Sequence, residues 1–431
     1  MNDTIYALSS APGRAGVAVF RVSGPGARRV VEAMCGASPK PRRASLRKLR
    51  HPVSRETLDR GLVLWLPGPA SFTGEDMAEL HTHGGKAVVT AVLEAFAAAG
   101  LRPAEAGEFT RRAFENGRFD LTEAEGLADL IDAETEEQRV QALRQADGAL
   151  REALEGWRHG ILQAQAALEA AIDFSDEADV PAQAVSTARG IVERLKSEID
   201  ARLADGRRGE ILRDGLRVVI AGPPNAGKSS LLNALAGRDA AIVSETAGTT
   251  RDVIEVRLDL GGFPVIVSDT AGIREADDAV ELEGVRRARA AARAADVVVW
   301  LSPVDAPQQP PASLSGATVW MVASKIDLGP KHDDGVSVVT GEGLQLLAQR
   351  LTLAAHQPRD EAPALITRAR HRREIEAARR ALDDFQMGDP DAVELRAEDL
   401  RAAAFALGRL TGRVDVEHVL GEIFSQFCIG K

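Results

Sequence analysis

Residues 216–230 read LRVVIAGPPNAGKSS: a β-forming run, a loop bounded by two glycines, and the start of a helix that continues as LLNALAG. The loop fits G-x-x-x-x-G-K-[ST], a pattern whose mechanism needs a strand on one side and a helix on the other. Gly222 and Gly227 let backbone N–H groups turn inward onto phosphate oxygens, and the helix start adds its positive end. Lys228 is placed to reach β- and γ-phosphates, and the Ser229 hydroxyl to ligate Mg²⁺. Such a unit commits the middle of the chain to an α/β layout. The runs LRVVIA (216–221), FPVIVS (263–268), DVVVWL (296–301) and TVWMVA (318–323) alternate with helical stretches. That order predicts a parallel sheet flanked by helices.

Three further pieces follow in order. AGTTRD (247–252) offers Thr250 as a second hydroxyl for Mg²⁺, and DTAG (269–272) brings Asp269 to the metal shell at a strand's end. In SKID (324–327), Asp327 can accept both guanine N1–H and N2–H₂, a paired bond that discriminates strongly against adenine. Four pieces in this order read as a GTPase. Ser324 departs from the Asn or Thr usual before the lysine of this loop, so weaker nucleotide binding with retained guanine choice is expected. The next loop, SVVTGEG (337–343), has Val338 where Ala is usual. After DTAG stands apolar Ile273 rather than a water-orienting Gln, which leaves Glu275, Asp277, Asp278 and Glu281 as candidates or as a solvated acidic loop.

The remainder of the 431 residues suggests roughly three domains in all. Residues 1–118 mix strand and turn signals, with strands at 17–22 and 62–66 and a helix over 87–100, an α+β pattern. From Leu121 to about Glu210 the texture is helical, and it resumes at about Ile366, so the α/β segment reads as an insertion into one helical domain, with two unrelated helical domains as the other reading. No apolar run of about 18 residues spans a membrane, and the N-terminus is too polar for a signal peptide. Two cysteines give no disulfide framework and point to a reducing cytoplasm. The net charge of −11 argues against nonspecific nucleic-acid binding. Residues 40–60, KPRRASLRKLRHPVSRETLDR, form a basic run expected to be a solvated loop, with an RNA-facing patch as the second reading. His81 and His83 near Glu79 make only a weak metal pattern and are expected as loop or core histidines.

GPPNAGKSSLLNALAGRDAAIVSETAGTTRD and DTAGIRE resemble the tRNA-modifying GTPase family called MnmE or TrmE. APGRAGVAVFRVSGPGA, SFTGEDMAELHTHGG, AGEFTRRAFENGRFDLTEAEGLADLID and the ending FSQFCIGK are similar to the same family, so the resemblance spans essentially the whole chain. With the changes of texture it implies an N-terminal α+β folate-binding and dimerising domain over 1–118. A split all-α helical domain takes 119–211 and 358–431, and a Ras-like P-loop G domain is inserted over 212–357.

The resemblance also implies hydrolysis activated by K⁺ and G-domain dimerisation rather than by an arginine finger. Asn225 matches the P-loop asparagine that holds the cation, while Ser244 (usually Thr), Thr246 and Thr249 match the loop whose oxygens line it. A monovalent cation there offsets charge developing between the β- and γ-phosphates. The water-orienting glutamate maps onto Glu281. The nucleotide site then comprises Asn225, Ala226, Gly227, Lys228, Ser229 and Ser230, then Ser244, Glu245, Thr246, Ala247, Gly248, Thr249 and Thr250. Asp269, Thr270, Ala271, Gly272, Lys325 and Asp327 complete it.

A 5,10-methylene- or 5-formyl-tetrahydrofolate is implied at Arg21, Glu79, Arg118 and Lys431. A pterin needs a carboxylate for its paired N–H donors and its glutamyl tail needs cations. Arg118 stands where Lys is common, which keeps the charge but not the geometry. In the family the C-terminal ending reaches the dimer centre near the folate site and its Cys is implicated in modification. Cys428 is therefore a candidate catalytic thiol, against the alternative of an inert structural one; FCIGK has the wrong last residue for prenylation. The implied activity is shared with the FAD-dependent protein MnmG, in a heterotetramer built on a homodimer. It adds an aminomethyl or carboxymethylaminomethyl group to C5 of the tRNA wobble uridine, in the cytoplasm and away from any membrane. The other readings are a regulatory or ribosome-assembly GTPase switch and a folate-dependent aminomethyltransferase with a passive nucleotide domain.

Overall fold

The computed structural model describes residues 3–173, 180–205, 207–237, 241–242, 254–269, 293–314, 317–329, 332–356, 364–389, 392–414, 417–425, 427 and 430. They fall into two compact units, one of residues 1–128 with 407–431 and one of residues 129–406.

The first unit opens with β1 (Ile5–Leu8), β2 (Ala15–Ser23), α1 (Ala27–Cys35), β3 (Ser45–Arg50), β4 (Thr57–Leu66), β5 (Met77–Gly84), α2 (Lys86–Ala98), β6 (Arg102–Pro103), α3 (Glu108–Glu115) and α4 (Leu121–Asp132). The strands form one sheet in the order β3-β4-β5-β2-β1-β6. Period-two alternation decides its faces. Phe20 and Val22 of β2, Val63 and Trp65 of β4 and Leu80 of β5 are buried against Val30, Val31 and Met34 of α1 and Val92 and Phe96 of α2. Arg21 and Glu79 alternate to the opposite face, and the β2–β5 register sets them directly across from each other. The basic run 40–60 is not a loop. It contains β3 and the start of β4, and β3 forms an edge of the sheet.

A buried ionic network ties this unit together. Arg112 of α3, 1% exposed, donates to Glu75 Oε2 at 3.2 Å, Asp3 Oδ1 at 2.8 Å and Glu108 Oε1 at 2.9 Å. Glu108 is as buried as Arg112 and also accepts from Arg102 at 2.6 Å. Glu75 further accepts from the Ser23 hydroxyl at 2.7 Å, so the loop before β5 is held to β2 and α3.

The second unit continues with α5 (Glu136–Ala146), α6 (Ala149–Asp173), α7 (Val180–Leu203), α8 (Arg208–Asp214), β7 (Leu216–Ala221), α9 (Lys228–Ala236), β8 (Ala241–Ile242), β9 (Ile254–Leu260), β10 (Phe263–Asp269), β11 (Val297–Pro303), β12 (Val319–Ser324), β13 (Gly335–Val336), α10 (Leu344–His356) and α11 (Ala369–Met387). The chain ends in α12 (Val393–Thr411) and α13 (Glu417–Ser425). Thr135 starts α5 with a reciprocal capping box to Gln138. Helix α7 packs along α6 and also meets α11, through Arg379 on Asp200 at 2.8 Å and Lys196 on Asp383. Helical segments from before and after the α/β segment therefore share one packing unit, a split helical domain.

The sheet between them runs β13-β12-β11-β7-β10-β9-β8. Five strands, β13 to β10 in that order, are parallel, with hydrophobic residues on both faces of β7 and β11. The four expected strands are parallel, and the sheet gains an antiparallel edge that was not expected. IEVRLDL forms β9, antiparallel to β10 through the short connection Gly261–Gly262, and β8 pairs antiparallel with β9. Two carboxylates clamp the chain where it enters and leaves this segment. Glu210 accepts from Arg207 and Arg372, and Asp129 from Arg213 and Arg368, at 2.7–3.0 Å.

Candidate functional site

Strand β7 ends at Ala221 and the loop 222–227 turns into α9. Gly222 takes φ 152°, and a Cβ there would sit 2.6 Å from the Leu301 carbonyl of β11. No side chain fits without moving that strand. Asn225 takes φ 58°, a left-handed conformation that Asn tolerates better than most residues. Gly227, also left-handed at φ 92°, caps α9. The first N–H groups of α9 have no acceptor one turn earlier in the helix, so a partial positive charge points at the loop mouth. Lys228 is 9% exposed, and its ammonium donates to the Gly222 and Pro223 carbonyls at 3.1 and 2.9 Å. The chain thus holds a cation across a ring of amides. Asn225, Ser229 and Ser230 are exposed around it and Ala226 is buried beneath.

The loop expected to read the base follows β12. Lys325 takes φ 59°, with its ammonium 3.2 Å from Asp305 Oδ2. Asp327 Oδ1 accepts from the fully buried Ser337 hydroxyl at 2.6 Å, and Ser337 in turn accepts from the Thr340 amide. Ser337 therefore aims Asp327. In the sequence this loop stands out only by Val338, and Ser337, which opens the same stretch, carries no separate signal of its role. Ser324 is buried, and its hydroxyl has no partner among the described residues. A longer amide at this position can reach groups that Ser324 cannot. Ser324→Asn is expected to tighten guanine-nucleotide binding about 3- to 10-fold, one net hydrogen bond's worth. Fluorescent-nucleotide titration checks it, and unchanged or weaker binding contradicts it.

Ser244, Glu245, Thr246, Ala247, Gly248, Thr249, Thr250, Thr270, Ala271, Gly272, Glu281, Cys428 and Lys431 lie outside the described residues, as do Ile273, Glu275, Asp277 and Asp278. Asp269 is described only by its backbone, which ends β10 opposite Ile220 of β7.

A second cluster lies in the first unit. Arg21 Nε donates to Glu79 Oε1 at 2.9 Å, and His81 Nε2 lies 3.2 Å from Glu79 Oε2. The Arg21 guanidinium is 5.6 Å from the Phe72 ring centre, and Phe72 is 5.9 Å from Phe119. Arg118 is close by, because a Cβ on Gly74 would meet its Cδ at 3.5 Å. Arg21, paired with Glu79, and Arg118 thus both border one loop, residues 71–76. His81 and His83 are corrected from loop or core residues: both are on β5, half-buried and exposed respectively, and His83 Nδ1 lies 2.9 Å from Asp59. Among the described residues no group of three or more His, Cys, Asp or Glu could hold a metal. The C-terminal ending is anchored in the same unit. Phe427 packs with Phe424 and Leu121, and the Gly430 carbonyl accepts from Ser9 Oγ at 3.0 Å. Burial pushes the Cys35 thiol up to about 11 despite nearby Arg47, which leaves it a poor nucleophile. Among the described residues no helix is long and apolar enough to cross a membrane.

Two family profiles match the chain. The GTP-binding protein TrmE N-terminus covers residues 4–118 and the MnmE helical domain covers residues 121–428. Relatives are similar from end to end. A tRNA modification GTPase MnmE of Parvibaculum lavamentivorans is 54% identical over 440 residues, covering 100% of both chains. Proteins of the same name from Maricaulis maris and a Methylobacterium species are 53% and 54% identical, again over 100% of both chains.

Proposed function

The chain belongs to the MnmE family of tRNA modification GTPases, and from that premise we propose how its two clusters divide the work. It is a GTP hydrolase acting in tRNA modification. The observation that carries the nucleotide assignment is the buried Lys228 ammonium held over the loop amides at the start of α9. Lys228 binds the β- and γ-phosphates, the amides of 225–230 orient them, and Ser229 offers a hydroxyl to Mg²⁺. Asp327, aimed by Ser337, reads guanine. Asn225 turns outward from its left-handed backbone beside the phosphate path, a position that fits an oxygen ligand for an alkali ion. Potassium held by Asn225 would supply positive charge to offset the charge developing on the phosphates. Glu281 orients the attacking water, and hydrolysis drives opening and closing of the G domain.

The Arg21–Glu79 pair, the Phe72 ring and Arg118 fit a tetrahydrofolate: a carboxylate for pterin N–H donors, an aromatic face, and cations for the tail. The folate supplies the one-carbon unit. Glu79 would accept from pterin N–H donors, Arg118 and Lys431 would hold the glutamyl end, and Cys428 is the candidate thiol for the modification step. The protein works in the cytoplasm as a homodimer, in a heterotetramer with the FAD-dependent MnmG protein, on C5 of the tRNA wobble uridine. Cys428→Ser is expected to abolish the wobble-uridine modification while leaving GTP hydrolysis within about twofold. Nucleoside mass spectrometry of tRNA from a complemented deletion strain tests this. Retained modification removes the role of Cys428, and a deletion strain with unchanged tRNA nucleosides removes the whole reading.

A further inference from the structure

The basic hairpin formed by β3 and β4 lies outside both clusters. Residues 40–60 hold Lys40, Arg42, Arg43, Arg47, Lys48, Arg50, Arg55 and Arg60 against only Glu56 and Asp59, in a chain whose net charge is −11. Arg42 and Arg55 are committed to the Ala70 and Ala33 carbonyls, and Asp59 is committed to His83. Lys48, Arg50 and Arg60 are exposed, and none of them forms an ion pair among the described residues. The register places Lys48 directly opposite Arg60.

Positive residues on an edge strand have a simple use, which is to block the addition of another strand. That use is met by Lys48 and Arg50 on β3. It does not call for Arg60 on the second strand, facing Lys48, where like charges across a strand pair destabilise the sheet. An arrangement that costs stability and leaves its charges without internal partners needs an external anion. Alternate residues on one strand are about 7 Å apart and neighbouring strands about 4.8 Å apart, so these three groups form a compact two-dimensional array of cations. Such an array matches a line of phosphates better than a single carboxylate.

We propose that the β3–β4 hairpin, through Lys48, Arg50 and Arg60, docks the phosphate backbone of the RNA substrate. This rests on tRNA being the substrate. The contact is independent of base sequence and positions the RNA without reading it. The hairpin lies on the same sheet as Glu79, two strands from β3, so RNA held here is held by the domain that carries the proposed folate site.

The test is tRNA binding to the full-length protein by fluorescence anisotropy across a salt series. Replacing Lys48, Arg50 and Arg60 together by Gln is expected to weaken binding at least about 10-fold near 0.1 M salt. The slope of log affinity against log salt should fall by roughly 2, the loss of three phosphate contacts. Lys48→Arg with Arg60→Lys keeps the charges and should keep both affinity and slope, while GTP hydrolysis stays at the native rate in all variants. Unchanged affinity and slope in the triple variant, or no salt-dependent tRNA binding by the native protein, overturns the proposal. So does loss of a partner protein with tRNA binding intact, because the surface then serves an acidic protein. Nucleoside analysis of the deletion strain separates the two levels: unmodified tRNA there keeps the functional reading even when the hairpin assignment falls.

Discussion

Lys228→Ala is expected to lower kcat/KM for GTP hydrolysis by about 10²–10³-fold, the cost of removing one preorganised electrostatic group from a reacting oxyanion. The side chain is 9% exposed and its ammonium is fixed by the Gly222 and Pro223 carbonyls, so little reorganisation is needed when phosphates arrive. Arginine does not substitute well, because its planar fork cannot replace a compact ammonium over these two carbonyls. The strand and helix on either side need no lysine to fold, so the variant should unfold at the native temperature. A variant that hydrolyses GTP within threefold of native would remove Lys228 from the phosphate site. Measured with saturating and limiting GTP, the loss should appear in both kcat and KM, since the ammonium meets ground-state phosphates as well as the transition state.

The second large effect is structural. Arg112→Met removes a cation 1% exposed and leaves Glu108, equally buried, and Glu75 without their shared partner. Breaking a buried ionic network from one side costs about 3–5 kcal/mol. For a unit of this size that lowers its thermal transition by roughly 10 °C. The sign of the pH dependence follows from Glu108. Burial raises its pKa, but hydrogen bonds from Arg102, the Glu105 amide and Arg112 outweigh this and hold the carboxyl below its ordinary 4.5. Its stabilising contribution is complete above the unfolded value and is lost as pH falls through the depressed folded one. The gap in stability between native and variant proteins should therefore narrow as pH drops below 4.5. A gap that stays constant with pH, or a variant as stable as native at neutral pH, contradicts this account. Because Arg112 and Ser23 both hold Glu75, the variant should also loosen the loop that carries Phe72.

How legible these sites were depends on how far apart their parts lie in the chain. The phosphate loop was readable because strand, loop and helix are consecutive, and Gly222, Asn225 and Gly227 carry their backbone geometry in their residue types. The strands at 216–221, 263–268, 296–301 and 318–323 were readable because buried parallel strands are almost wholly apolar. Strand β9 escaped because Glu255, Arg257 and Asp259 interrupt its apolar residues, although IEVRLDL alternates with period two. Glu79 and Arg21 were named only through family resemblance. What joins them is the β2–β5 register across 58 residues of sequence, which no local pattern encodes. Sequence distance likewise hid Arg112, whose partners Asp3 and Glu75 come from remote segments, whereas His81, two residues from Glu79, was already visible as its neighbour. The basic run was read as a loop because Lys and Arg mask strand alternation. Only Leu49, fully buried, betrays the inward face of β3.

The central claim is that the loop around Asn225 and Lys228 grips a guanine triphosphate beside an alkali ion. The most direct measurement is the steady-state GTP hydrolysis rate of native protein and of Asn225→Ala, each in 0.1 M KCl and in 0.1 M NaCl. The account predicts native hydrolysis at least about 10-fold faster in potassium, with the difference gone in Asn225→Ala, consistent with the loss of one transition-state charge partner. Equal native rates in the two salts, or a potassium effect that survives in Asn225→Ala, would contradict it.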